Sequence, residues 1–395
     1  MTIEDRWLLP EGIEEALPDR AQRMEYYRRA LLDLYARWGY ELVIPPMIEY
    51  LESLLVGSSF DLDLLTFKLT DQLTGRMMGV RPDMTPQVAR IDAHMLKRDG
   101  PVRLCYIGTV LRTRAETAGS SRGPLQVGAE LYGHAGLDSD LEIMRLMIET
   151  LRLMRIPAVH LDLGHVGIYW NLVRQAGLNR QQEFALFDML QRKAVPEVAD
   201  YLRGLNLAGE SRDMLAALTE LNGGREVLTR ARQQLHGADA RVSEALDYLD
   251  AAAERLEQFS PEVELHFDLA ELRGYQYHTG TVFAAFTEGQ GQEIARGGRY
   301  DEIGKVFGRA RPATGFSADL HTLIGLGTDT PPAVRPGVYA PASSDPALVA
   351  KVTQLRAAGE RVICGLTDQQ GGAKTMGCTR QLVQQDGQWI EVSLN

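Results

Sequence analysis

A chain of 395 residues, 45% of them hydrophobic, has room for two or three domains with ordinary cores. Its formal net charge of −11 argues against nucleic acid or an anionic membrane as a partner, and no apolar run approaches the roughly 18 residues of a membrane span. Cys105, Cys364 and Cys378 are scattered and the eight histidines form no HxxxH or Cys/His cluster, so the sequence suits a reducing compartment and predicts neither a metal nor a cofactor. The first residues, Met1-Thr-Ile-Glu-Asp-Arg-Trp7, are charged where a signal peptide would be apolar, which predicts a cytoplasmic location.

Residues 19–38 are predicted as a helix, with apolar or aromatic residues at Met24, Tyr27, Leu31, Leu34, Tyr35 and Trp38 and Gly39 as its stop. Arg20, Arg23, Arg28 and Arg29 fall on its solvated face. Residues 40–49 form a strand broken by Pro45 and Pro46, which cannot donate to a ladder. Two strands follow at 66–70 and 76–82, then a helix to about Lys97 with Thr85 as cap and Pro86 at its first position. The apolar strand 102–111 and the strand 125–132 flank a polar loop. Alternation puts Gln126, Gly128 and Glu130 on one face of the second strand, as either a solvated outer surface or the floor of a polar pocket. A buried helix at 139–155 carries Met144, Met147 and Met154 as core residues. His160 and His165, at or near the strand 159–164, are read as structural.

Residues 167–259 look wholly helical and interrupt a β-rich region that resumes at Glu262. Gly325 to Pro336 has linker composition, and 337–395 reads as strand, helix, strand and two further short strands. The densest stretch is Leu272 to Asp301. It contains Leu272-Arg-Gly-Tyr-Gln-Tyr277-His278, a strand at 281–286, and Gly297-Gly-Arg-Tyr-Asp301. Gly297 and Gly298 allow close approach of backbone or ligand, and Arg273 and Arg299 are planar donors suited to carboxylate or phosphate. On residue types alone the stretch reads equally well as a central hairpin with solvated arginines.

With these residues in order, the chain over about 5–327 resembles histidyl-tRNA synthetase, a class II aminoacyl-tRNA synthetase. Residues 20–49 resemble motif 1, the dimer-forming element, and 102–133 resemble motif 2, with Arg112 at the motif's arginine. Arg273-Gly-Tyr-Gln-Tyr277-His278 resembles the family's Arg-Gly-Leu-Asp-Tyr-Tyr signature, with His278 in place of its last tyrosine. Gly297 to Asp301 matches the second histidine-specific signature. The resemblance implies an α+β fold, an antiparallel sheet flanked by helices. Its segments would be 1–165 and 261–327 for the core, 166–260 for a helical insertion, and 337–395 for a small α/β domain like a truncated anticodon-binding domain. It also implies a histidine pocket. Asp83 and Thr85, helped by Gln126, would hold the α-amino group, and Arg273, with Arg112, the carboxylate. Glu130 would face the imidazole, with Tyr277, His278 and Tyr300 closing the site.

The same comparison identifies what is missing. Motif 2 of a synthetase carries Arg-x-Glu-Arg, but this chain has Arg112-Thr-Arg114-Ala115. Motif 3 should place an arginine where Thr322 stands, and Asp319 replaces a glycine. Losing one charge-stabilising donor typically costs about 2.7–4 kcal/mol of barrier, so adenylation is not expected. A synthetase fold with a histidine pocket but no means of handling ATP or tRNA resembles the regulatory subunits of ATP phosphoribosyltransferase. That family implies partnership with the short catalytic subunit, a hetero-octamer of four chains of each kind, dimerisation through the motif 1-like region, and feedback by L-histidine in histidine biosynthesis. It implies neither tRNA nor membrane as a partner. The alternatives are an active histidyl-tRNA synthetase, another synthetase-like amino-acid-binding protein, or a scaffold without ligand.

Overall fold

Helix α1 (Pro18–Arg37) starts with proline at its first turn, where the missing N–H costs nothing, and buries Tyr27, Leu31, Leu34 and Tyr35 along one face. This is the computed structural model of the chain, and it describes residues 7–55, 60–116, 120–272, 274, 277–328 and 336–394. The arginine face of α1 is solvated with one exception. Arg28 and Arg29 pair with Glu25, but Arg23 is half-buried and donates to the Ile324 carbonyl at 3.2 Å. After Gly39 the chain enters β1 (Glu41–Leu42) and then β2 (Ile48–Tyr50) in a different sheet. The prolines sit at the change of sheet, and their carbonyls are used: Pro45 accepts from Arg81 and Pro46 from Gln87.

Short helices α2 (Leu51–Leu54) and α3 (Phe60–Leu65) lead to β3 (Phe67–Thr70) and β4 (Met77–Val80), which pair antiparallel with β2 in the order β2-β4-β3. Helix α4 (Thr85–Arg90) begins at Thr85, with Met84 at the cap position and no side-chain cap. This corrects the expectation of a Thr85 cap: its hydroxyl instead hydrogen-bonds with that of Tyr106 at 3.0 Å. The helix continues as a π-helical turn (Ile91–Leu96), closed by Lys97 at φ 51°.

The main sheet receives β5 (Val102–Thr109) and β6 (Leu125–Tyr132), then, after α5 (Leu137–Leu153), β7 (Val159–His165). Helices α6 (Val166–Ala176), α7 (Arg180–Gln191), α8 (Val195–Gly204) and α9 (Gly209–Ala217) follow. The two-residue strand β8 (Asn222–Gly223) then corrects the wholly helical expectation by pairing at the sheet edge with residues Phe267 and Asp268. Helices α10 (Glu226–Gln234) and α11 (Ala240–Phe259) complete the insertion before β9 (Glu264–Asp268), β10 (Thr281–Thr287), β11 (Ala295–Arg299), β12 (Ala313–Asp319) and α12 (Leu320–Leu326). The strand order is β1-β5-β6-β12-β11-β10-β7-β9-β8. The run from β5 to β7 in that order is antiparallel throughout, with parallel pairs β1/β5 and β7/β9 flanking it.

Helices α1 and α5 supply one side of the core. Tyr35 meets Phe316 edge-on at 6.4 Å and shares a 3.1 Å hydrogen bond with Thr150. Met144, Met147 and Met154 are fully buried there, each such side chain contributing roughly 1.5–3 kcal/mol by leaving water. The chain separates into two compact units, Met1–Asp329 and Thr330–Asn395. In the second, β13 (Gly337–Ala340), α13 (Pro346–Ala357), β14 (Val362–Cys364), β15 (Cys378–Gln385) and β16 (Gln388–Ser393) form a sheet ordered β14-β13-β15-β16. Asp345 caps α13 through the Ala347 N–H at 2.9 Å and accepts from the Trp389 indole at 2.7 Å. The predicted linker lies partly outside the described residues: α12 runs to Leu326, and 329–335 are not described.

Candidate functional site

The other face of the main sheet is nearly bare along one row. Glu130 of β6 pairs across to Gly315 of β12, Gly315 to Gly298 of β11, and Gly298 to Val282 of β10. The next row toward the loops runs Gly128, Ser317, Arg296, Ala284. A Cβ at Gly315 would overlap the Glu130 carboxylate, and one at Gly128 would meet the Tyr106 hydroxyl at 2.5 Å. Small residues on four strands thus leave a floor on which Glu130 can lie. Above it is a cavity of about 310 Å³, the size of a small-molecule site.

Glu130 is 1% exposed. The Tyr106 hydroxyl donates to one carboxyl oxygen at 2.9 Å and the Tyr300 hydroxyl to the other. Burial lifts its carboxyl to about 8, a rise the Tyr300 and Tyr106 hydroxyls only partly offset. The network runs on from Tyr106 to Thr85, while Asp83 accepts from the Thr85 N–H at 3.1 Å and from the Gln126 amide at 2.6 Å. Gln126 in turn accepts from the Met84 N–H at 2.9 Å. Gln126 holds Asp83 from the side of a neighbouring cleft that it lines, whereas Asp83 and Thr85 line the cavity itself. For the 125–132 strand, the pocket-floor alternative is the one realised, with Gln126, Gly128 and Glu130 all buried.

On the far side, Tyr277 stacks on Tyr300 at 5.1 Å and His278 stands perpendicular to Tyr277 at 5.7 Å. The His278 ring lies over Gly298, where a Cβ would meet it at 2.7 Å. Tyr277 Oη is buried with no hydrogen-bond partner among the described residues. Such an atom costs stability until something donates to it or accepts from it. Arg273 lies outside the described residues. Asp83, Thr85, Arg112, Glu130, Tyr277, His278 and Tyr300 therefore converge on one cavity, with Gln126 behind Asp83.

Arg299, taken in sequence as a ligand-facing donor, points the other way. It is 6% exposed and pairs with Asp140 at 2.8 Å, Ser139 at 2.8 Å and Asp301 at 3.2 Å. Tyr248 of the helical insertion donates to the same Asp140 at 2.5 Å. His165 is structural, accepting from the Gly167 N–H at the start of α6.

Sequence reasoning missed Tyr106, Glu116 and Arg296. Tyr106 was hidden in an apolar strand, and the charged pair gives no signal until β11 is set beside the 112–116 segment. Arg112 pairs with Glu116 at 3.0 Å and donates to the Pro82 carbonyl at 3.2 Å. Arg296 pairs with the same Glu116 at 2.9 Å and with Glu293 at 3.0 Å. Burial pushes the Glu116 carboxyl up, but Arg296 and Arg112 outweigh it and leave it below the usual carboxylate range. A second cleft of about 790 Å³ continues past this cluster to Asp319 and Thr322. There Asp319 caps α12, accepting from the His321 N–H at 3.1 Å and the Thr322 hydroxyl at 2.8 Å. Arg112 and Arg296 are thus both paired with carboxylates, and the cap of α12 places a further carboxylate on the second cleft.

Sheet and motifs together define a class II synthetase-like protein whose main sheet floors a cavity lined by Glu130, Asp83, Thr85 and Arg112. Residues 12–323 match the histidyl-tRNA synthetase family, and residues 335–392 match the ATP phosphoribosyltransferase subunit HisZ C-terminal domain. The ATP phosphoribosyltransferase regulatory subunit of Thioalkalivibrio sulfidiphilus is 61% identical over 395 residues, covering all of both chains. That of Nitrosococcus oceani is 55% identical over 389 residues, 98% of this chain and 97% of its own. A solved structure from Bacillus halodurans, described as an ATP phosphoribosyltransferase regulatory subunit/histidyl-tRNA synthetase, superposes with a TM-score of 0.82 at 28% identity, covering 94% of this chain and 95% of that one. Histidyl-tRNA synthetase from Nostoc, 20% identical with a TM-score of 0.76, covers 98% and 97% and shares the fold. The chain belongs to the family of ATP phosphoribosyltransferase regulatory subunits, and is a regulatory rather than a catalytic subunit.

Proposed function

We propose that this chain serves the first step of histidine biosynthesis by joining a short ATP phosphoribosyltransferase catalytic chain, and that it senses L-histidine in the Glu130 cavity. The observation that carries the reading is the buried Glu130 carboxyl between two tyrosine hydroxyls at the end of a glycine floor. A neutral carboxyl can donate to an imidazole nitrogen, and a carboxylate can accept from an imidazole N–H, so Glu130 complements the ring in either protonation state. Asp83 and the Thr85 hydroxyl suit the α-amino group, and Arg112, with Arg273, the α-carboxylate. The polar groups at opposite ends of the cavity match a zwitterion with an aromatic side chain.

The assembly is a hetero-octamer of four regulatory and four catalytic chains, with the regulatory chains paired through the 20–49 region. Leu42, Ile44, Met47 and Ile48 are exposed along that region, an apolar stripe of the kind a subunit contact covers. Feedback then requires that histidine bind one state of the complex more tightly than another, and that the catalytic chain change histidine affinity by the same factor. Calorimetry with histidine on the full chain and on Glu130→Ala tests the site; loss of a buried hydrogen-bonded group should cost several kcal/mol of binding. Equal binding by both proteins would exclude this cavity. Mixing with a short catalytic chain should raise its activity and give the native mass of an octamer.

A further inference from the structure

Glu116, Arg112 and Arg296 all line the same cavity, and the two guanidinium groups hold the Glu116 carboxylate at 3.0 and 2.9 Å. An amino acid entering with its own carboxylate meets cationic donors that already carry an anion. Two carboxylates in so small a space repel each other, which favours departure of the one less firmly held. The Arg112 side chain is 13% exposed and also held by the Pro82 carbonyl, whereas the Glu116 side chain is 36% exposed. Arg112 is fixed in the wall and Glu116 has solvent to move into. We propose that Glu116 is an internal competitor for the carboxylate of the bound amino acid: the ligand displaces it from Arg112, and the strength of the Glu116 pairs sets the affinity of the site. This rests on the reading that the cavity takes a free amino acid.

The competition acts only on ligands that carry a carboxylate, since only these contend with Glu116 for a guanidinium partner, and it moderates the preference that the arginines give them. It also sets the affinity below what Arg112 alone would give, as a sensor that must release its ligand requires. Removing the charge while keeping the shape separates this from a merely structural role. Histidine and histamine, which lacks the carboxylate, are titrated calorimetrically into the full wild-type chain and into Glu116→Gln, with thermal melts confirming that both are folded. Glu116→Gln should bind histidine about three- to tenfold more tightly, the range expected for two partly exposed ion pairs, with histamine binding unchanged. Weaker or unchanged histidine binding in Glu116→Gln, against measurable wild-type binding, overturns the proposal and leaves the histidine site standing. Equal tightening of both ligands also overturns it, because the effect would then not depend on a carboxylate. Absence of histidine binding in both proteins overturns the site and the competitor together.

Discussion

At Glu130 the cost of building the cavity is visible as a titration. The folded chain holds its carboxyl at about 8 against an ordinary value of 4.5, so folding favours the protonated form. The associated stability is fully present below about pH 4.5 and is lost as the pH rises through about 8, on the order of a few kcal/mol in all. Glu130→Gln keeps the shape and cannot ionise, so its melting temperature should change less between pH 5 and about pH 9 and exceed that of the wild type at the alkaline end. Parallel curves for the two proteins would refute the assignment. A second residue test concerns Gly315. A Cβ there overlaps the Glu130 carboxylate and approaches the Ala129 carbonyl at 2.8 Å. Gly315→Ala should lower stability by about 1–3 kcal/mol and abolish histidine binding, read by melts and calorimetry. Alternation, a local property of one strand, put Glu130 and Gln126 on one face, while it was the family resemblance that assigned that face to a pocket. Tyr106 was not legible in sequence, because it is one aromatic in an apolar strand, and the Glu116–Arg296 pair was not, because its two residues lie 180 positions apart and only the folded sheet brings them together.

Strand β11 and the residue after it carry two assignments that sequence reading merged. Tyr300 reaches the cavity and Arg299 reaches the opposite side, into a buried pair with Asp140 that Tyr248 joins. A motif of adjacent residues was read as one wall, whereas consecutive residues of an extended chain face opposite ways. Thr85 shows a related difference. Its type and the following proline locate the helix start, but the cavity network takes the hydroxyl that a cap would have used. In α12 the degraded motif has acquired a local structural role: Asp319 caps the helix and accepts from the Leu125 N–H at 3.1 Å. Asp319→Ala should cost about 1 kcal/mol, measured as a shift of the denaturation midpoint. No change would mean that the carboxylate contributes nothing as a cap.

Across the whole molecule, the order of elements was readable because helical and strand periodicities are strong over long segments. The strand order was less so, since β6 meets β12 only after the 180 residues between Tyr132 and Ala313 are placed. The short β8 could not be seen in a helical run because two residues carry no period. A chain of this regulatory family should give no ATP–pyrophosphate exchange with histidine; robust exchange would contradict its placement among non-catalytic subunits. The glycine floor also limits how such a site can change. Gly128, Gly298 and Gly315 are already the smallest residues available, so this side of the cavity can be filled but never enlarged. A descendant that accepts a bulkier ligand must take the room from the opposite wall, from Leu62, Leu65, Tyr277 or His278. The sheet therefore fixes one limit of the cavity, and the segments that cover it are where ligand preference is free to vary.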